Sequence, residues 1–181
     1  MSEFHTLTVS EVKKETPNSV SITFSIPENL KNIFAFKAGQ YITIKHQSGG
    51  KELRRAYSIC SSPKSGVLKV AVKKVDKGSF SVFANNELKG GDTLQVMPPT
   101  GKFILEPNLK NYAAFAAGSG ITPVLSLIKS TLEEMPQSTF LLVYGNKNIE
   151  ETMFYNEILE LQKQFPNRFT AEFVFSRKEE E

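Results

Sequence analysis

The stretch Tyr112-Ala113-Ala114-Phe115-Ala116-Ala117-Gly118-Ser119-Gly120-Ile121-Thr122-Pro123 decides how the second half of the chain folds. An apolar run ends abruptly at two glycines, and a helical pattern begins at once. Val124, Leu125, Ile128 and Leu132 fall on one face at α-helical spacing. An apolar strand that passes through a glycine turn into an amphipathic helix opens a βαβ unit. The pattern then repeats. Phe140–Tyr144 reads as a second strand and Thr170–Phe175 as a third. Between them, Phe154, Ile158, Leu161 and Phe165 form the apolar stripe of a second helix. Strand-helix-strand-helix-strand implies a parallel sheet with right-handed crossovers.

Upstream of Pro107 the period changes from helical to alternating. Short strands are predicted at His5–Lys13, Val20–Ile26, Tyr41–Lys45, Leu53–Ile59, Leu68–Val75 and Thr93–Val96. Val20, Ile22, Phe24 and Ile26 alternate with polar residues, as do Leu68, Val70 and Val72. Pro17-Asn18, Ser48-Gly49-Gly50, Pro63 and Gly90-Gly91-Asp92 supply the turns. Even spacing of this kind predicts a six-stranded antiparallel barrel, with one short helix over Phe80–Leu88. The chain is therefore read as β plus α/β, with a barrel domain over residues 1–106 and a nucleotide-binding α/β domain over 107–181. The second domain is expected to be incomplete at its C-terminal end, leaving Tyr112–Ala117 as an unpaired apolar edge.

Composition narrows the chemistry. With 181 residues, 40% hydrophobic and 23% charged, the chain has ordinary globular proportions. Its single cysteine, Cys60, cannot form an internal disulfide or a cysteine-held cluster. His5 and His46 are far apart, so no metal site is expected. A net charge of +3 is too small to argue for nucleic acid. No apolar run has the length of a membrane span, and the first residues lack the layout of a signal peptide. These features lead to a cytoplasmic protein, with Glu179-Glu180-Glu181 as a solvated end.

The glycine turn is a candidate anion site. Glycines let backbone approach a phosphate closely, Thr122 is a suitable N-cap, and Pro123 is a suitable first helical residue. Gly118, Ser119, Gly120 and Thr122 would then present free N–H groups and a positive helix end to a pyrophosphate. Pro123 stands where the dinucleotide fingerprint has its third glycine, so the string differs from that motif. A tight strand-to-helix turn needing glycine for geometry alone is the competing explanation.

Arg55-Ala56-Tyr57-Ser58-Ile59-Cys60-Ser61-Ser62 resembles the R-x-Y-S-x-x-S flavin motif of the ferredoxin-NADP-reductase superfamily. The turn Gly118–Pro123 resembles that superfamily's nicotinamide-pyrophosphate turn, about sixty residues later and in the same order. Nearly the whole chain is covered. The nearest subgroup looks like the reductase components of the phenylacetyl-CoA oxygenase type. The resemblance implies FAD as cofactor, with Arg55 on its pyrophosphate, Tyr57 against the isoalloxazine ring and Ser58 near the redox-active nitrogen. Tyr57 and Ser58 are thus the candidate catalytic residues, and Ile59 lies within the same motif. Val72 and Lys73 match a strand that lines the flavin. Gly78, Phe80 and Ser81 match a second phosphate contact. Pro98–Phe103 matches the loop that closes the barrel. An Arg55 merely projecting from the solvent face of an ordinary strand is the competing explanation for the first motif.

Ser176 and Arg177 follow the last predicted strand, where NADP-using relatives hold the ribose 2′-phosphate. This favours NADPH, with NADH possible, because Asn146-Lys147 stands where many relatives have an arginine. The implied reaction carries electrons from NAD(P)H through FAD to an iron–sulfur acceptor, either a ferredoxin-like domain or an oxygenase component. One cysteine cannot hold such a cluster in this chain. The competing function is a non-catalytic flavin- or nucleotide-binding fragment or regulatory module.

Overall fold

A computed structural model describes residues 3–107 and 109–177; the Glu179–Glu181 run lies outside them. The first sheet comprises β1 (His5–Thr16), β2 (Ser19–Ser25), β3 (Tyr41–Ser48), β4 (Lys51–Ser58), β5 (Leu68–Lys73) and β6 (Thr93–Thr100). Its order is β4-β3-β6-β1-β2-β5, and every pairing is antiparallel. The two outermost strands meet where β4 continues past its end. Ile59 bridges Val70, and the Cys60 N–H donates to the Lys69 carbonyl at 2.9 Å. The sheet thereby closes into the predicted barrel.

Alternation explains the core. Val20, Ile22 and Phe24 on β2 stand opposite Val72, Val70 and Leu68 on β5, so six apolar side chains share one inward face. Leu7, Val9, Ile42, Ile44 and Val96 complete that interior. Helix α1 (Ser79–Asn86) covers it with Phe80 and Ala84. Strand β6 runs further than predicted, through Pro98-Pro99. The register against β3 jumps from Tyr41↔Thr100 to Thr43↔Met97, so the prolines occupy an irregularity in the ladder. Such a position does not require their missing N–H groups.

The second sheet holds β7 (Asn111–Ala117), β8 (Thr139–Asn146) and β9 (Phe169–Phe175), all parallel in the order β7-β8-β9. Helices α2 (Ile121–Glu134) and α3 (Tyr155–Gln164) connect them. Strand β7 is the expected edge, though not a wholly unpaired one: it bonds β8 on one side, and its other side is open among the described residues. The helix start differs from expectation. A 3-10 turn over Gly118–Gly120 leads straight into α2, whose N-cap is Gly120, with no side-chain cap bond. Thr122 lies inside the first turn, and its hydroxyl donates back to the Ser119 carbonyl at 3.0 Å. Winding begins at the glycines themselves, which moves Thr122 and Pro123 inward by two residues.

Leu125, Ile128 and Leu132 of α2 pack on Phe140, Leu142 and Tyr144 of β8, and Ala38, Cys60 and Ala71 of the barrel belong to the same cluster. Barrel and α/β layer thus share one apolar junction. Among the described residues the sheet's opposite face is uncovered: Phe115 is 80% exposed, and Leu141 and Val174 also face outward. Apolar side chains in this arrangement favour self-association. Phe115→Lys is expected to lower concentration-dependent light scattering while shifting stability by no more than about 0.5 kcal/mol, because nothing packs on that side chain. Urea melts alongside scattering check both halves of this expectation.

Candidate functional site

Where the barrel meets the α/β layer, a cleft of about 770 Å³ opens. Its walls come from three places distant in sequence. The end of β4 supplies Arg55, Ala56, Tyr57 and Ser58. The end of β5 and the start of α1 supply Ala71, Lys73, Lys74, Val75, Gly78, Ser79, Phe80 and Ser81. The glycine turn and α2 supply Ser119, Gly120, Thr122 and Pro123. The lining holds three cations and no carboxylate, so the site's field favours an anionic ligand.

Pairing directs each wall. Arg55 and Tyr57 stand opposite Ile44 and Ile42, and so share the sheet face that faces the barrel interior. Because β4 lies at the sheet's edge, Arg55 remains exposed, its guanidinium donating to the Arg54 carbonyl at 2.9 Å. Tyr57 is drawn toward Phe80, with ring centroids 5.5 Å apart. Burial pushes the Tyr57 phenol up to about 12, and the nearby Arg55 charge only partly opposes this. The ring is therefore a neutral, partly desolvated flat surface at neutral pH.

The segment between β5 and α1 is a tight turn. The Gly78 N–H donates to the Val75 carbonyl at 2.9 Å, and the Val75 N–H donates to the Ser81 hydroxyl oxygen at 3.2 Å. A side chain at Gly78 would run into that hydroxyl, so only glycine preserves the turn. Across the cleft, Gly118 adopts a φ of +50°, which favours glycine. Added Cβ atoms at Gly118 and Gly120 would meet no atom within 4 Å, so the turn presents open backbone to the cleft side. From beneath, the buried Tyr144 hydroxyl donates to the Gly118 carbonyl at 2.9 Å and fixes the turn's height. Burial also raises the Tyr144 phenol's pKa, which keeps it a donor.

These residues suit a flavin dinucleotide. Arginine, lysine and backbone N–H groups at helix starts are phosphate partners, and a neutral aromatic face suits a planar ring. Among the described residues no group of three or more His, Cys, Asp or Glu side chains converges as a metal site would require.

Residues 6–104 match the oxidoreductase FAD-binding domain family, and residues 115–181 match the oxidoreductase NAD-binding domain family. The chain belongs to the ferredoxin-reductase family of FAD- and NAD-binding oxidoreductases. It is 42% identical over 181 residues to a subunit of the 1,2-phenylacetyl-CoA epoxidase of Escherichia coli, covering 98% of this chain and 51% of that protein. It is 37% identical to the ferredoxin reductase component of 3-ketosteroid-9-alpha-monooxygenase from Rhodococcus rhodochrous, covering 91% of this chain and 47% of the relative. The chain thus spans about half the length of these curated relatives. A crystal structure of a ferredoxin NADP+ reductase from Neisseria gonorrhoeae with bound FAD and NADP overlays with a TM-score of 0.82, at 26% identity. That overlay covers 100% of this chain and 72% of the other. The FAD/NAD-binding domain of a Vibrio cholerae nitric oxide dioxygenase shares the fold, with a TM-score of 0.87 at 22% identity over 99% of this chain and 77% of its own.

Within this ferredoxin-reductase chain, the cleft gathers Arg55, Tyr57, Ser58, Lys73, Gly78, Phe80, Ser81, Ser119, Gly120 and Thr122 from the sequence-derived candidates. Two others lie elsewhere. Ile59 and Val72 are fully buried in the barrel core, so their side chains do not line the cleft. The alternation that turns Val70 and Val72 inward turns Ala71 and Lys73 outward. Ala71 and Lys74 were missed, although that same alternation marks Ala71. Gly118 shapes the turn from just outside the lining. Ser176 and Arg177 are exposed and lie outside the cleft. Their N–H groups donate to the carbonyls of Asn146 and Lys147 at 2.9 and 3.0 Å, which sets them beside the carboxyl end of β8. There the buried Asn146 side-chain nitrogen has no hydrogen-bond partner among the described residues.

No helix is long and apolar enough to cross a membrane among the described residues. The Tyr57 environment makes a pH prediction. Its phenol titrates near 10 when unfolded and about 12 when folded, so the folded state loses stability as pH rises from about 10 toward 12. Tyr57→Phe is expected to flatten that loss. Urea midpoints at pH 9 and pH 11 measure it, and an equal drop in both proteins would refute the assignment.

Proposed function

We propose that the chain moves electrons from NAD(P)H through FAD to an iron–sulfur acceptor of an oxygenase system. The observation that carries this reading is the carboxylate-free, three-cation cleft shared by the two halves of the chain. Support comes from its relatives, two of which are named as the reductase component or a subunit of an oxygenase or epoxidase. The division of labour follows the two layers, with residues 1–106 holding the flavin and 107–181 the nicotinamide nucleotide. A cytoplasmic setting accompanies this reading.

When bound, FAD supplies a centre that takes two electrons together and releases them singly. The residues of this chain bind and orient. Arg55 makes charge-assisted bonds to the flavin pyrophosphate, helped by Ser81 and the N–H groups that follow Gly78. Tyr57 would offer its neutral ring to the isoalloxazine, and Ser58 would offer its hydroxyl as a hydrogen-bond partner to the flavin. The N–H groups at Ser119 to Thr122 receive the nicotinamide nucleotide's pyrophosphate at the start of α2. Arg177 and Ser176 favour the 2′-phosphate of NADPH over the hydroxyl of NADH, while Asn146-Lys147, where many relatives have an arginine, keeps NADH open. No acid–base pair is needed, which agrees with a lining of serines, glycines and lysines.

The visible spectrum of the purified chain, with added FAD and then anaerobic NADPH, tests the reading. Flavin bands that bleach with NADPH are expected. Bands that persist leave a non-catalytic flavin-binding fragment as the surviving description, and absence of any bound flavin sinks both. Arg55→Ala is expected to weaken FAD binding about 10- to 100-fold, the range for losing a hydrogen bond to a charged group. Fluorescence titration of FAD measures this.

A further inference from the structure

The two half-sites are held in register by one face of one helix. Ser126, Lys129 and Glu133 project from successive turns of α2, at the i, i+3, i+7 spacing of a single stripe. They grip three consecutive residues that continue β4 beyond Tyr57 and Ser58. The Ser126 hydroxyl donates to the Ser61 carbonyl at 2.6 Å, and the Lys129 ammonium donates to the Cys60 carbonyl at 3.4 Å. The Ser62 hydroxyl donates to the Glu133 carboxylate. Lys129 is the centre of the grip. Its side chain is only 14% exposed, and it also pairs with Glu157 of α3 at 2.5 Å. One ammonium therefore ties together the flavin-strand extension, α2 and α3.

Stability alone gives no reason for this choice. The pair joins a mostly buried ammonium to a carboxylate that is 43% exposed, and an ion pair open to solvent on one side contributes little net stability. The apolar contact of Ala38, Cys60 and Ala71 with the α/β core is not directional, so it specifies orientation less sharply than hydrogen bonds do. Hydrogen bonds to fixed carbonyls cannot slide. The helix that carries this stripe starts at the glycine turn, so Thr122 at the cleft is one turn from Ser126 at the grip.

The geometry points to Lys129 as a positioning residue that sets the distance and angle between the flavin-binding strand and the nucleotide turn, with Ser126 as its auxiliary. It rests on the electron-transfer reading only for its catalytic consequence. A second tie, Lys73 with Glu151 at 3.2 Å and Asn18 with Glu151 at 2.8 Å, joins the same bodies.

The test places spin labels on cysteines substituted at exposed Lys51 and Lys163, leaving the buried Cys60 unlabelled, in the 181-residue chain with FAD. The parent is expected to give one narrow distance distribution. Lys129→Met is expected to broaden it, and to slow flavin reduction at saturating NADPH about tenfold while FAD affinity stays within twofold. Ser126→Ala removes one hydroxyl without a charge change, and is expected to broaden the distribution less. It decides the matter should Lys129→Met fail to fold. Distributions as narrow as the parent's overturn the inference, as does a broadened distribution with an unchanged reduction rate. A parent that never bleaches with NADPH defeats the functional reading alone, and the distance distributions still decide this one.

Discussion

Two sheets of different construction must present their ends to one ligand-sized gap, and the junction of β4 with α2 determines whether they do. Two of the cleft's three walls depend on that junction. Arg55, Tyr57 and Ser58 stand on the last residues of a strand whose continuation closes the barrel at Ile59↔Val70 and then leans on α2. The glycine turn stands at the head of the same helix. Closing a barrel and docking a βαβ unit are separate folding problems. Here a four-residue run, Ile59 to Ser62, takes part in both.

The division of roles along that run follows from side-chain direction. Ile59 is spent on the barrel interior, and Cys60 on the apolar junction, where burial pushes its thiol up to about 12 and removes it from redox chemistry at neutral pH. Ser61 and Ser62 offer polar groups to α2 and to a local turn. A string that reads as a ligand motif is thus half scaffold. The cleft-lining half ends at Ser58, and the remainder packs into the barrel and against α2.

Much of this was legible in the sequence because it rests on periodicity. Alternation in Val20–Phe24 and Leu68–Val72 placed the barrel core, and the change to a helical stripe at Val124–Leu132 placed the first crossover helix. The start of the first crossover helix had no periodic signal. A threonine and a proline with good cap statistics point to a later onset of α2. The chain instead begins to wind at Gly118, where a left-handed φ and open space allow a 3-10 turn. Ile59 and Val72 entered the candidate site through motif membership, against an alternation that sends both inward. The grip of Ser126, Lys129 and Glu133 was invisible, since its partners are mainly backbone carbonyls about seventy residues away, and carbonyls carry no residue code.

The cleft's charge has a structural source as well as a ligand to serve. Lys73 and Lys74 follow directly on the barrel-facing Val72, at the point where β5 leaves the apolar core and must solvate its ends. Lys73 is partly neutralised by Glu151, and Lys74 donates to the Asn86 side chain at 3.3 Å, so both ammonium groups are held near the cleft. Among the described residues Arg55 has only a backbone carbonyl as partner. Of the three cations, it is therefore the one whose hydrogen-bonding capacity is most open to a ligand, and its planar fork matches phosphate oxygens where an ammonium offers a point charge. Scaffold lysines set the sign of the field, and the arginine adds a planar fork at the strand edge.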